Sequence, residues 1–481
     1  MISSFADLIP VTPLLILTAT VVLTMIAIGI KRSYVLSAAL TITGLLAAAI
    51  ATFLLFDRNA QVTPLIIIDQ YTQLFVLASC LAAAAIAILS FPYFFDLADD
   101  RDEYFLLLGL ATIGAVVMVS SNHFVSLLLG LETLSMSLYG MIAYPLHSKD
   151  SVKYPLEAAV KYLVLSAAAS AIMLFGIALI YAQTGSLSFH ALPLEEFAGF
   201  SVIAVLLLFV GIAFKLSLAP FHLWTPDVYE GAPLPATSYL ATLGKLAMFV
   251  ALLRYVEASG ALASSGVAAV LSLVAILSIL LGNLLALLQA NLKRLLAYSS
   301  IAHMGYVLVA VIAGGVVEDA SATEAIAFYL LAYCIMTLGA FGVASVVSRS
   351  EKEFDVIFDF RGLFWREPWL AAFFTAMLLS LAGIPLTVGF VGKFYLFYVA
   401  VEAELWALLL AMIVGSGIGL YYYLRIVYRM LMPAKGDVDY RVAGIEGLSS
   451  YGVLAILFLL LIVLGVYPTP LIAVIQAAVL F

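Results

Sequence analysis

The chain has 481 residues, of which 65% are hydrophobic and 10% are charged, and its formal net charge is −8. Soluble globular proteins carry roughly 25% charged residues, so the composition excludes a soluble enzyme, and no basic surface for nucleic acid is visible. Apolar runs recur along the whole length without a hydrophilic block long enough to fold alone. We therefore expect a single integral membrane domain over 1–481.

Apolar runs of bilayer length, about 20 residues each, predict an all-α polytopic membrane protein with fourteen transmembrane helices. Charged residues, prolines and glycines separate the runs. The predicted spans are 9–30, 35–56, 71–90, 104–120, 122–144, 157–183, 199–229, 234–257, 263–288, 291–313, 322–347, 368–401, 404–430 and 448–470.

Lysine and arginine residues fall almost entirely in alternate connections between these helices. Even-numbered connections hold only Arg58 and Arg254. Cytoplasmic loops are enriched in positive charge, which predicts cytoplasmic odd-numbered connections and both termini on the opposite side of the membrane. The basic residues of the odd-numbered connections are Lys31, Arg32, Arg101, Lys149, Lys153, Lys293, Arg294, Arg349, Lys352, Arg361, Arg366, Arg425, Arg429, Lys435 and Arg441.

The seventh and twelfth spans are longer than a bilayer requires and contain helix breakers. Pro220 and Pro226 interrupt the seventh span, and Gly383 and Pro385 interrupt the twelfth. An interior proline removes a backbone donor and clashes with the preceding turn. Both helices are therefore predicted to be discontinuous.

Paired interruptions in corresponding helices indicate inverted repeats around an ion pathway. We expect helices 4–8, over 104–257, and helices 9–13, over 263–430, to form two five-helix repeats. Five crossings place the second repeat on the opposite face from the first, so the repeats are inverted. Helices 1–3 occupy 1–103, and helix 14 lies within 431–481.

Four lysines, Lys161, Lys215, Lys245 and Lys393, lie within or at the edge of apolar spans. A low dielectric disfavours the ammonium form, so such a lysine can load and release protons. Glu132 lies in the middle of the fifth helix, where a charge costs roughly 2.5–3.5 kcal/mol, and Lys215 is its predicted partner. For Lys161 and Lys393 the competing explanation is snorkelling, in which the long stem carries the ammonium to the interface.

Two histidines and one further lysine extend this set. His222 follows the break of the seventh span and His303 lies in the tenth helix, and each is either a proton relay or a hydrogen-bonded core residue. Lys293 opens the tenth helix, as a positive-inside charge or as the inner end of a pathway. Cys80 and Cys334 lie in apolar runs and are predicted to be buried thiols. No spacing of ligand residues indicates a metal site.

Three strings resemble the antiporter-like membrane subunits of respiratory complex I. They are GIAFKLSLAPFHLWTPDVYEGAP at 211–233, NLKRLLAYSSIAHMGY at 291–306 and LAGIPLTVGFVGKFY at 381–395. The similarity extends nearly end to end. Within that family, a lysine instead of a glutamate at position 393 and a chain that ends without a long lateral helix favour one branch.

The resemblance implies a fourteen-helix fold with two inverted repeats and one proton pathway driven by quinone reduction elsewhere in the complex. It also implies that Glu132, Lys215, Lys245 and Lys393 carry proton translocation. No cofactor is expected on this chain, since FMN, iron–sulfur clusters, NADH and quinone would belong to other subunits. The implied partners are the other membrane subunits of complex I and, through them, its peripheral redox arm.

Two alternatives remain open from the sequence. A Mrp-type Na⁺/H⁺ antiporter subunit, without redox coupling, would share the fold and the lysines. A scaffold that only spaces neighbouring subunits would also span the membrane, but buried charges are costly to insert and argue against it.

Overall fold

The computed structural model describes residues 5–56, 58–95, 101–144, 153–191, 200–317, 320–348, 353–433 and 448–479. Helices make up nearly all of this part, as the apolar runs predicted. Five basic residues of the predicted cytoplasmic connections lie outside the described residues, namely Lys149, Arg349, Lys352, Lys435 and Arg441.

The helices and strands follow one another in a simple order. A two-stranded antiparallel hairpin joins the second and third helices, and among the described residues short 3₁₀ turns lie in several other connections. The elements are α1 (Thr12–Ile30), α2 (Tyr34–Leu54), β1 (Ala60–Thr63), β2 (Ile66–Ile68), α3 (Gln70–Tyr93), α4 (Glu103–Val119), α5 (Phe124–Ala143), α6 (Lys153–Thr184), α7 (Phe200–Lys215), α8 (Trp224–Gly231), α9 (Leu234–Ala241), α10 (Leu243–Ser259), α11 (Ser265–Leu287), α12 (Leu292–Ala313), α13 (Ser321–Val347), α14 (Leu363–Arg366), α15 (Pro368–Ala382), α16 (Val388–Glu402), α17 (Trp406–Leu431), α18 (Leu448–Val466) and α19 (Thr469–Val479).

Each predicted span coincides with one helix or with two consecutive helices. Among the described residues, eleven helices are long and apolar enough to cross a membrane, if α9 and α10 are counted as one. The total of fourteen crossings stays a prediction. In the middle of the bundle, α12 and α13 are buried along almost their whole length, whereas α1 and α18 expose wide apolar faces.

Both predicted helix breaks are confirmed. The seventh span divides after Lys215, where α7 ends, and resumes at Trp224, where α8 begins. The twelfth span divides between Ala382 and Val388. Its first half ends at Gly383, whose φ of 86° is a left-handed conformation that glycine adopts without strain.

The eighth span is not the continuous helix that the sequence predicted. It is distorted at Thr242, with φ −108° and ψ −80°, which separates α9 from α10. The Thr242 hydroxyl donates to the Ser238 carbonyl at 2.6 Å, a back-bond that favours bending. Backbone hydrogen bonds continue on both sides of this residue, so α9 and α10 form one distorted span, and Lys245 lies one turn after the distortion.

The charges divide between the two ends of the bundle as the count of basic residues indicated. At one end, which we call the basic end, Arg32 pairs with Glu103 at 2.9 Å and Arg294 pairs with Asp227 at 2.8 Å. At the opposite end, Arg254 forms a two-pronged ion pair with Asp69. Assignment of the basic end to the cytoplasm stays a prediction.

Glycines allow two helix pairs to pack at close range. The pair α4–α5 meets at Gly114 and Gly130, and the pair α11–α12 meets at Gly282 and Gly305. A Cβ atom at Gly282 would lie 2.7 Å from the backbone nitrogen of Ala302. Small residues of this kind let helix backbones approach inside a membrane.

Replacement of Gly282 with alanine is therefore expected to lower stability by roughly 1–3 kcal/mol, the usual cost of overpacking. Gly417 is a matched control, because a Cβ atom at this exposed helical position would meet nothing within 4 Å. There alanine should be neutral or stabilising by up to about 1 kcal/mol. Thermal unfolding of the detergent-purified protein measures both effects, and equal melting temperatures would contradict the packing argument.

Candidate functional site

Lys215 is the last residue of α7 and is bound by hydroxyl groups at the break. Its Nζ donates to Ser135 Oγ on α5 at 2.8 Å and to Ser166 Oγ on α6 at 2.5 Å. The ammonium also lies 5.7 Å from the centroid of the Tyr162 ring, within the range of a cation–π contact. Neutral oxygens and an aromatic face thus hold this cation inside the bundle.

Glu132 lies on the same side of α5 but does not touch Lys215. Its Oε1 accepts a hydrogen bond from Ser170 Oγ at 2.7 Å, whereas the Lys215 ammonium donates to the serines of α5 and α6. The direct ion pair expected from the sequence is replaced by serines. Ser166 and Ser170 are one turn apart on α6 and face the same way, so two hydroxyls lie between the carboxylate and the ammonium.

Lys245, on α10, is the most deeply buried of the four lysines, at 1% exposure. Its Nζ donates to Ser300 Oγ on α12 at 2.6 Å, and that hydroxyl shares a 2.5 Å hydrogen bond with Tyr333 OH. The Tyr229 ring centroid lies 5.9 Å from Nζ. Burial at this depth excludes snorkelling for Lys245.

His303 lies one turn beyond Ser300 on α12 and contacts two tyrosines. Its Nδ1 is 2.5 Å from Tyr329 OH, and its Nε2 is 3.2 Å from Tyr423 OH. Tyr423 OH in turn bonds to Ser299 Oγ. Both ring nitrogens are satisfied, as in a core histidine, but every partner is a hydroxyl that can itself donate or accept a proton.

Lys393, on α16, bridges the break in the twelfth span by binding the end of α15. Its Nζ donates to the carbonyls of Leu381 and Ala382, each at 2.9 Å, and to Ser416 Oγ at 3.3 Å. These carbonyls end α15, where the helix dipole is negative and favours a cation. The side chain is 5% exposed, so Lys393 does not snorkel.

A set of polar residues that the sequence reasoning missed joins His303 to Lys393. Asn283 Nδ2 donates to Tyr306 OH at 2.9 Å, and Asn283 Oδ1 accepts from Tyr422 OH at 3.1 Å. The centroid of the Tyr306 ring lies 5.6 Å from Lys393 Nζ, and the Tyr422 and Tyr423 rings contact each other at a tilt of 53°. Tyrosine hydroxyls deep in apolar helices were the only signal that the sequence offered for this set.

The helix α12 packs against α8, α13, α16 and α17, so it runs beside the part of the arrangement from Lys245 to Lys393. It carries Lys293, Ser300, His303 and Tyr306, at spacings of three and seven residues that share a helix face. We call the series from the partly buried Glu132 through the buried Lys215, Lys245 and His303 to Lys393 the buried row.

The three remaining candidates lie around this row. His222 is buried after the α7 break, and its Nδ1 has no hydrogen-bond partner among the described residues. Lys293 is buried at the basic end and pairs with Glu353. Lys161 has a side chain 43% exposed and pairs with Glu157 and Asp227, so it lies outside the buried row.

Comparison with known proteins identifies the family. The family model described as NADH:quinone oxidoreductase/Mrp antiporter, transmembrane, matches residues 121–419, which include the whole buried row. The chain belongs to this family.

Individual members agree with that assignment. NADH-quinone oxidoreductase subunit N of Methylococcus capsulatus is 47% identical over 467 residues, which cover 96% of this chain and 93% of the relative. This is the branch of the family that Lys393 favoured. In the described part of the chain, no group of three or more His, Cys, Asp or Glu residues is arranged to hold a metal ion.

Two solved structures of family members share the fold. A chain of respiratory complex I from Thermus thermophilus with bound aureothin superposes with a TM-score of 0.83 at 33% identity, covering 96% of this chain and 99% of that one. A chain of the Mrp complex from Dietzia sp. superposes with a TM-score of 0.86 over 98% of this chain and 97% of that one. Its identity of 22% indicates a common fold alone.

Proposed function

We propose that this chain is a subunit N of a proton-pumping NADH:quinone oxidoreductase and that it moves protons across the membrane along the buried row. The observation that carries the proposal is the row itself. Lys215, Lys245 and Lys393 are at most 7% exposed, and two of them lie at breaks in membrane-length helices. Ionisable groups kept at this depth mark ion pathways.

The physical mechanism is electrostatic switching between neighbouring groups. Two unit charges about 10 Å apart at an effective dielectric near 20 interact by roughly 1.7 kcal/mol. That energy changes the protonation ratio of a neighbouring amine by more than tenfold. A proton on Lys215 therefore disfavours a proton on Lys245, and the same repulsion favours release near Lys393.

Glu132 determines the protonation state of Lys215 before these proton transfers begin. Its negative charge favours the ammonium form of Lys215 across the serines of α6. Any movement that separates Glu132 from Ser170 weakens this attraction, and Lys215 then gives up its proton more readily. His303 and the tyrosine hydroxyls around it supply donors and acceptors between Lys245 and Lys393.

We also propose that the two helix sets are inverted repeats, 104–257 and 263–430, flanked by 1–103 and 431–481. The support is a recurring pattern. A glycine-packed helix pair precedes a broken helix in each half, and a lysine lies at each break, Lys215 in one and Lys393 in the other.

The redox chemistry belongs to other subunits in this proposal, which carry FMN, iron–sulfur clusters and the sites for NADH and quinone. Other membrane subunits of complex I are the direct partners of this chain. Its location is the bacterial inner membrane, with the basic end in the cytoplasm and both termini in the periplasm.

Purification of the tagged chain from its native membrane tests the function against the Mrp alternative. We expect NADH:quinone reductase activity to co-purify, and we expect proton pumping by the reconstituted complex to continue when potassium replaces all sodium. Recovery with antiporter subunits alone, or pumping that stops without sodium, would instead identify an Mrp-type Na⁺/H⁺ exchanger.

A further inference from the structure

A polar cleft of about 580 Å³ opens at the basic end of the bundle. Its walls come from the start of α6, including Tyr154 and Ala158, and from the end of α8, including Glu230. Its floor contains Lys293 and Glu353. The cleft therefore brings water from the basic end to a pair of opposite charges.

Glu353 lies after α13, in a polar connection to which the sequence analysis gave no role. Its Oε2 accepts from Lys293 Nζ, and its Oε1 accepts from the backbone N–H of Leu234 at 3.0 Å and from Tyr93 OH. Four structural elements, α3, α9, α12 and this connection, thus meet at one carboxylate. The Glu353 side chain is 19% exposed, whereas Lys293 is 3% exposed.

Lys293 and Glu353, at the floor of the cleft, separate its open space from the buried row. Lys293 Nζ also donates to the Ala232 carbonyl at 3.0 Å, and Ala232 follows Tyr229 by three residues. The Tyr229 ring covers Lys245 Nζ. On α12, Lys293 and the Lys245 ligand Ser300 are seven residues apart on one face, about 10 Å along the axis.

Residues 355–357, which follow Glu353, are bound to the start of α12 independently of this ion pair. The backbone N–H of Ile357 donates to the Ala290 carbonyl at 2.9 Å, and Asn291 Nδ2 donates to Asp355 Oδ2 at 2.8 Å. A change in the charge of Glu353 can therefore free Lys293 without releasing the connection from the start of α12.

We propose that Glu353 is the proton-accepting gate residue at the basic end of the pathway, a role that rests on the proposed function. As an anion, Glu353 holds the Lys293 ammonium in the ion pair, and this pair closes the inner end of the cleft. A proton taken from water in the cleft neutralises Glu353 and releases the Lys293 ammonium, which gives one proton toward neutral Lys245. The Glu353 proton then passes to Lys293, which restores the ion pair and closes the floor.

Charge removal at Glu353 tests the gate in the intact complex. Glu353→Gln keeps an oxygen that can accept from Leu234 and Tyr93 but cannot form the ion pair or carry the proton. We expect the initial rate of proton uptake by inverted membrane vesicles, per assembled complex, to fall at least threefold. Glu353→Asp, which restores the carboxylate, should recover at least half of the lost rate.

Glu157→Gln is the control, since Glu157 lines the same cleft but is 49% exposed and pairs with Lys161, outside the buried row. It should keep the original rate. An unchanged rate in Glu353→Gln, or a loss that Glu353→Asp does not recover, would overturn the gate. Lys215→Met in the same vesicles separates the two ideas, because normal pumping in that variant would reject the proposed function itself.

Discussion

Methionine in place of Lys215 is expected to slow proton pumping by the assembled complex. The variant removes the cation that the serines of α5 and α6 hold next to the Ser170 contact of Glu132. We expect the pumping rate to fall about tenfold or more, because a lost interaction of roughly 1.7 kcal/mol changes the protonation ratio of the neighbour by that factor. Proton uptake by inverted vesicles, normalised to assembled complex, measures the change.

Lys161→Met is the matched control for this experiment. It makes the same substitution on a neighbouring helix, but Lys161 is 43% exposed and pairs with carboxylates near the surface. Exposed ion pairs contribute little, so this variant should keep most of the pumping rate. Equal losses in both variants, or full pumping without Lys215, would reject the buried row as the pathway.

The helix breaks were predictable because proline and glycine act locally. Pro220 and Pro385 interrupt helices whatever packs around them, and the structure has a break at each. The distortion at Thr242 was not predictable in this way. No proline marks it, and the threonine back-bond that accompanies it becomes visible only in the folded helix.

The buried lysines could also be found from the sequence, since an ionisable residue in an apolar run stands out. Their ligands could not. Ser300 and Tyr333 are ordinary in a membrane helix, and their contact with Lys245 depends on which faces of α10, α12 and α13 meet. Glu353 was missed for the opposite reason, because a carboxylate in a polar connection is normal until its contacts with Lys293 and Leu234 are known.

The partner of Glu132 shows the limit of pairing charges by sequence distance. Helix order placed Lys215 nearby, and the two side chains do belong to one cluster. Yet Ser170 binds the carboxylate and Ser166 binds the ammonium. Hydroxyls can satisfy both charges without cancelling either, so each group keeps the ability to change its protonation state.

Two substitutions at Lys393 can separate the effect of its charge from the effect of its hydrogen bonds. Its ammonium satisfies the Leu381 and Ala382 carbonyls at the end of α15, and burial without such donors would be costly. Lys393→Gln keeps two N–H donors but removes the charge. We expect this variant to assemble normally and to pump at least about tenfold more slowly, since no charge remains to couple with its neighbours.

Lys393→Met removes the donors as well as the charge, and it should therefore also reduce the amount of assembled complex. Each of the two carbonyls, when buried without a donor, lowers the stability of the fold by about 1–3 kcal/mol. This loss is enough to loosen the break between α15 and α16. Native gel electrophoresis gives the assembled amount, and vesicle proton uptake gives the rate. If Lys393→Gln pumped normally while Lys393→Met failed to assemble, the lysine would only cap α15, and the pathway would have to leave the bundle before reaching it.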